Sequence, residues 1–101
     1  MINVGGSKVF PAEVESVLLA LDNVEDAVVY AEPNPLTGRA VTATIKLQHE
    51  ESASQFKIRM RRFCKDRLAP YQMPTRVRFT NEPLHSERFK RMRRAAVDRA
   101  S

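Results

Sequence analysis

The apolar positions change period several times along the chain, and each change marks an element. Ile2-Asn3-Val4 and Lys8-Val9-Phe10 flank Gly5-Gly6-Ser7. That pattern predicts a hairpin, because paired glycines accept positive φ without steric cost. Pro11 suits the first turn of a helix, where its missing N–H is harmless. Val14, Val17, Leu18 and Leu21 then recur at i, i+3, i+4 and i+7, one apolar helix face, and Asp22-Asn23 closes that helix. Ala27-Val28-Val29-Tyr30 is β-branched and aromatic and reads as a strand. Glu32 to Gly38, with Pro33, Asn34, Pro35 and Gly38, reads as a loop. Ala40 to Gln48 alternates again, with Val41, Ala43, Ile45 and Leu47 on one face, so the two runs form an antiparallel pair.

Ser52 or Ser54 caps the next helix, roughly Ser54 to Leu68, whose apolar face is Phe56, Met60, Phe63 and Cys64. Ala69 to Pro74 breaks it. Arg76 to Thr80 is a short strand with one wet face, and Ser86 caps a last helix from Glu87 to about Arg99. The order ββ-α-β-β-α-β-α predicts an α+β fold. It is a small sandwich of a short three-stranded sheet plus an N-terminal hairpin, with about three helices packed on it. With 101 residues there is room for one core, so residues 1–101 are read as a single domain.

Composition narrows the chemistry. No apolar run approaches the roughly 20 residues that would span a bilayer, and no basic start followed by an apolar block marks a leader, so the expectation is a cytoplasmic protein without a membrane span. The one cysteine, Cys64, excludes an internal disulfide, and it lies on an apolar helix face, where core packing is the ordinary role. His49 and His85 are far apart in sequence, and no metal site is expected. Three glycines are too few for a GxxxxGK phosphate loop. The charge is uneven. Residues 1–54 hold 3 Lys/Arg and 8 Asp/Glu, a net of 3 − 8 = −5; residues 55–101 hold 14 and 4, a net of +10. A basic half of this kind fits an anionic partner, whether a nucleotide, a nucleic acid or an acidic protein face; a solvated helix surface is the plain alternative.

The stretch Ile2 to Glu15 resembles the motif I-N/K-V-x-G-x-K/R-V-x-P-x-E-V/I-E of the AMP-forming acyl-CoA synthetase superfamily. Further matches follow in order. Val24 to Tyr30 is similar to V-x-D-A-A-V-V, Gly38 to Leu47 to G-x-x-V-x-A-x-V-x-L, and Leu68 to Pro74 to L-A-x-Y-K-x-P. Pro83 to Arg93 is similar to the closing motif L-P-x-T-x-x-G-K-I-x-R, with Ser86 on the threonine, Lys90 on the lysine and Arg93 on the arginine. Here the leucine and proline are inverted and Phe89 replaces the glycine. The resemblance covers nearly the whole chain and implies the small C-terminal domain of such a ligase.

It further implies a large N-terminal adenylating domain, lying before Met1, that holds ATP with Mg2+ and a carboxylic acid substrate. The thiol would be coenzyme A or a pantetheine-bearing carrier. Lys90 is implied as the catalytic residue of adenylation, and the Gly5-Gly6 turn, with Lys8 beside it, as the wall along which the thiol arm passes. Arg59, Arg62 and Lys65 form a basic helix surface on which the phosphates of coenzyme A would rest. Each residue has a plainer alternative: a solvated cation for Lys8 and Lys90, a mere turn for Gly5 and Gly6. Glu13 and Glu15 read as helix-end electrostatics and packing partners. A stand-alone interaction domain derived from a ligase is a second reading of the chain. A nucleic-acid module is a third, disfavoured because the aromatics are scattered and Pro70 and Pro74 interrupt the basic helices.

Overall fold

The computed structural model describes residues 1–36 and 38–84. Strands β1 (Ile2–Val4) and β2 (Ser7–Val9) form the expected hairpin, closed by Gly5-Gly6. Helix α1 (Pro11–Leu19) follows, then β3 (Val24–Asn34), β4 (Gly38–Leu47), α2 (Ala53–Cys64), a 3-10 turn (Pro70–Gln72) and β5 (Arg76–Phe79). The second sheet has the order β3-β4-β5. Strands β3 and β4 are antiparallel, while β4 and β5 are parallel. A parallel pair needs a crossover, and α2 supplies it. Among the described residues there are two α-helices and the 3-10 turn; the expected third helix, Glu87 to Arg99, lies outside them.

The loop expected from Glu32 to Gly38 is shorter in the structure. Pairing continues through Pro33↔Arg39 to Asn34↔Gly38. Pro33 does not break the strand, for a physical reason. Strand β3 is an edge, and the amides of residues 27 and 29 point away from β4, to Asp26 Oδ1 (2.8 Å) and to Glu15 Oε2 (2.7 Å) respectively. Pro33 shares their parity, so its missing N–H falls on the edge side, where no ladder bond is made.

Helix α1 also ends earlier than its apolar repeat, at Leu19, although Leu21 still joins the core. The exit is organised by Asn23, which holds a φ of +69°. Its side chain pairs with His49 as a peptide group would: Nδ2 donates to His49 O (2.9 Å) and Oδ1 accepts from His49 N (2.7 Å). Nδ2 also donates to Glu51 Oε1 at 3.1 Å. Helix α2 begins at Ser52, whose hydroxyl accepts from Gln55 N, and ends at Cys64 rather than Leu68. There Arg67 folds back, giving Nη1 to Phe63 O (2.7 Å) and laying its guanidinium over the Phe63 ring.

The core joins Val14 and Leu18 of α1, Phe56, Met60 and Cys64 of α2, and Val29, Val41, Ala43 and Ile45 of the sheet. Burial pushes the Cys64 thiol up, away from the reactive thiolate. Phe56 meets Phe79 of β5 edge-on, with centroids 5.4 Å apart. The other sheet face carries polar side chains that are nonetheless buried, Thr42 and Thr44 among them. They are satisfied across the strands. Tyr30 Oη and Thr44 Oγ1 lie 2.8 Å apart, and Thr42 Oγ1 donates to Glu32 Oε1 at 2.9 Å. Arg78 Nη1 donates to Glu32 Oε2 at 2.6 Å, and Arg76 stands 3.5 Å from Oε1. Burial alone would raise the Glu32 carboxyl, but the bonds from Arg78 and Thr42 outweigh it and hold the carboxyl below its usual range.

Two expectations follow. Asn23→Ala removes three side-chain hydrogen bonds and leaves an alanine at positive φ, so it should destabilise the chain by about 2 kcal/mol in a denaturant melt. Asn23→Gly loses the same bonds without the strain and should cost less. The Glu32 carboxyl has a lowered folded-state pKa. Its contribution is therefore complete above the ordinary carboxylate range and is lost as pH falls through that range to the folded value. Glu32→Gln should flatten the acid side of the stability–pH curve; an unchanged slope would contradict this.

Candidate functional site

The hairpin is rooted by Ile2 and Val9, which are fully buried, and it presents Gly5, Gly6 and Lys8 to solvent. Gly5 and Gly6 have φ of +55° and +91°, the signs of a type I′ turn. A β-carbon added to either would meet nothing within 4 Å. Within this chain the glycines are thus required by backbone conformation and not by crowding. Asn3 Oδ1 accepts from Gly6 N at 3.0 Å, and Asn3 pairs across the hairpin with Lys8.

The segments that carry the family resemblance meet through two carboxylates. Glu13 Oε1 accepts from Gln72 Nε2 at 3.1 Å, and Gln72 Oε1 in turn accepts from Ala69 N at 2.8 Å. Glu15 accepts from the edge amide of Val29. One turn of α1 is therefore tied to the Leu68–Pro74 segment and to β3, and β2 of the hairpin packs beside the 3-10 turn. The packing role expected of this acid pair gains specific partners.

On α2 the three sequence-selected cations have different surroundings. Arg59 is engaged: Nε and Nη2 clasp the Glu51 carboxylate at 2.7 and 2.8 Å, and Nη2 also reaches Asp22 O at 3.0 Å. Its guanidinium lies 5.7 Å from the Phe56 ring centroid. These bonds, led by the hydrogen bond itself, lower the Glu51 carboxyl and raise the Arg59 guanidinium from their ordinary values. Arg59 thus joins α2 to the exit of α1, as a structural bracket. Arg62 and Lys65 are exposed. Arg59 and Arg62 line one shallow cleft of about 390 Å³ together with Ala20, Leu21, Asp22 and Phe63. No hairpin residue lines it. A larger hollow of about 720 Å³ is bordered, among the described residues, by Glu50, Glu51 and Glu82 and by no Lys or Arg, the wrong sign for a phosphate.

Among the described residues no group of three or more His, Cys, Asp or Glu could hold a metal ion, and no helix is long and apolar enough to cross a membrane. Lys90, with Ser86, Phe89 and Arg93 around it, lies outside the described residues. Sequence reasoning missed Asn3 and Asn23 as organisers. The signal available was an asparagine just ahead of a Gly-Gly pair and another at a helix exit, both common places for a carboxamide to bond backbone.

The family described as AMP-binding enzyme C-terminal domain matches residues 13–90. The chain is 39% identical over 90 residues to a 2-succinylbenzoate–CoA ligase of Geobacillus kaustophilus (strain HTA426), covering 89% of this chain and 18% of that protein. It is 34% identical over 82 residues to a 3,4-dihydroxybenzoate–aryl-carrier protein ligase of Bacillus anthracis, covering 81% and 18%. Among solved structures, the o-succinylbenzoate CoA synthetase of Bacillus subtilis superposes with a TM-score of 0.75 at 31% identity, over 96% of this chain and 19% of that one. The chain thus spans under a fifth of the length of these relatives. The match takes in helix α1 with its paired glutamates, the sheet and the 3-10 segment, and the chain belongs to the AMP-binding enzyme C-terminal domain family.

Proposed function

We propose that this domain is the mobile C-terminal part of an ATP-dependent acid–thiol ligase of the acyl-CoA synthetase type. It works in two poses against a large N-terminal adenylating domain that binds ATP, its Mg2+ and the acid. One observation carries the reading: two exposed glycines at positive φ, with open space where side chains would stand. A slender thiol arm needs such a bare stretch of backbone.

In the first half-reaction the carboxylate oxygen attacks the α-phosphorus of ATP, and the bond to the β-phosphate breaks to release pyrophosphate. Two anions must approach each other. The Lys90 ammonium, on a flexible stem, stabilises the charge that builds between them. In the second half-reaction the thiol sulfur attacks the acyl carbonyl, the thiol proton is lost, and AMP leaves with the electrons of the C–O bond. The Gly5-Gly6 turn then lines the path of the arm, with Lys8 beside it. Arg62 and Lys65 offer exposed charge to the phosphates of the thiol's carrier group, while Arg59 fixes the helix that bears them. The relatives are named for coenzyme A and for an aryl-carrier protein, and the turn suits an arm from either source.

The full-length ligase tests this through its separate half-reactions. Lys90→Ala should slow pyrophosphate exchange by about 100- to 1000-fold and spare thioester formation from supplied acyl-adenylate. Gly6→Leu should do the reverse, with a thermal melt to account for the roughly 1–2 kcal/mol of strain at positive φ. Unchanged exchange in Lys90→Ala, or equal loss of both halves in a folded Gly6→Leu enzyme, would overturn the reading. The α2 cations should separate as well. Arg62→Glu with Lys65→Glu should raise the thiol's apparent KM. Arg59→Ala should instead lower the melting temperature, by the equivalent of about 1 kcal/mol, because it strands Glu51.

A further inference from the structure

A Gly-Gly pair is ambivalent. Its central peptide can rotate between type I′, with φ positive at both glycines, and type II′, with φ positive only at the first. The rotation carries the Gly6 N–H from one side of the turn to the other, and the Gly5 carbonyl with it, since the trans peptide is planar. Neither glycine has a side chain to choose between the two, and the space where a β-carbon would stand is open at both. The structure nonetheless has Gly6 at +91°, the type I′ form. In this form the Gly6 N–H is held from the side: Asn3 Oδ1 accepts it at 3.0 Å. Asn3 is held in turn by its place in β1, opposite Lys8 and next to the fully buried Ile2.

We propose that Asn3 is a positioning residue that locks the Gly5–Gly6 peptide plane, and so decides which backbone groups the turn turns toward the thiol arm. This deepens the function proposed above and rests on it. An amide N–H already bonded to Asn3 cannot bind the arm, and the Gly5 carbonyl is fixed as an acceptor on the opposite side. Only an acceptor side chain can do this. A lysine, which the family's motif also allows at this place, has donors only and cannot hold the turn in the same way.

The lock and its use are read separately. In the 101-residue chain, the Gly6 amide should exchange with solvent about fivefold faster in Asn3→Ala than in the parent, the fold-change expected for one hydrogen bond. Asn3→Asp keeps an acceptor and should restore the slower exchange; Asn3→Lys should resemble Asn3→Ala. Identical exchange in all four proteins would overturn the lock. In the full-length ligase, Asn3→Ala should slow thioester formation about fivefold at unchanged pyrophosphate exchange, with recovery in Asn3→Asp. If Gly6→Leu blocks thioester formation and Asn3→Ala leaves it untouched, the positioning role falls and the proposed function stands. If Gly6→Leu leaves it untouched, the proposed function falls, and the positioning role with it. Parallel loss of melting temperature and of both half-reactions in Asn3→Ala would make Asn3 merely structural and overturn the inference.

Discussion

The arrangement depends on closing the outer edge of β3. A three-stranded sheet leaves edge amides without strand partners, and an open edge invites pairing with another chain. Here Glu15 takes the amide of residue 29, Asp26 takes that of residue 27, and Pro33 has none to offer. The Glu15 bond also ties α1 to that edge, alongside the packing of Val14 and Leu18 on the sheet. Once α1 is in place, Glu13 meets Gln72, the 3-10 turn is fixed against the helix, and β2 packs beside that turn. The hairpin tip is thus oriented by a chain of contacts that starts at a sheet edge.

The outline of this architecture was legible in the sequence. The Gly-Gly hairpin, the amphipathic helices and the antiparallel pair all follow from periodicity and turn chemistry, because each is a local pattern. What was not legible is set by neighbours. The segment around Pro33 reads as a loop from composition alone, and only its place on an edge strand makes a proline tolerable. Thr42 and Thr44 lie on the face opposite Val41, Ala43 and Ile45, yet they are buried too, their hydroxyls satisfied by Glu32 and Tyr30. The candidate site divides in the same way. The glycines could be named from a motif, but Arg59 could not be told from Arg62 by charge alone. Glu51, eight positions earlier, makes Arg59 a bracket and leaves Arg62 to face solvent.

The basic half of the chain is therefore less free than its net charge suggests. Arg59, Arg76 and Arg78 are paired with acids of the N-terminal half or of the loop before α2. Part of the charge asymmetry is thus spent on ion pairs between the two halves. What remains exposed on α2 is a narrower surface, beside an exit from α1 that Asn23 keeps in register with His49.

The parallel pairing of β5 with β4 constrains the order in which the chain can fold. Strands β3 and β4 are joined by a tight connection and can zip locally. Strand β5 must wait for α2 and the 3-10 turn, since its pairing joins Thr42 to Arg76 across the whole crossover. The Arg78–Glu32 bond spans a still greater length, 46 positions, and closes after the loops it encloses. A contact that forms only after the transition state slows unfolding without hastening folding.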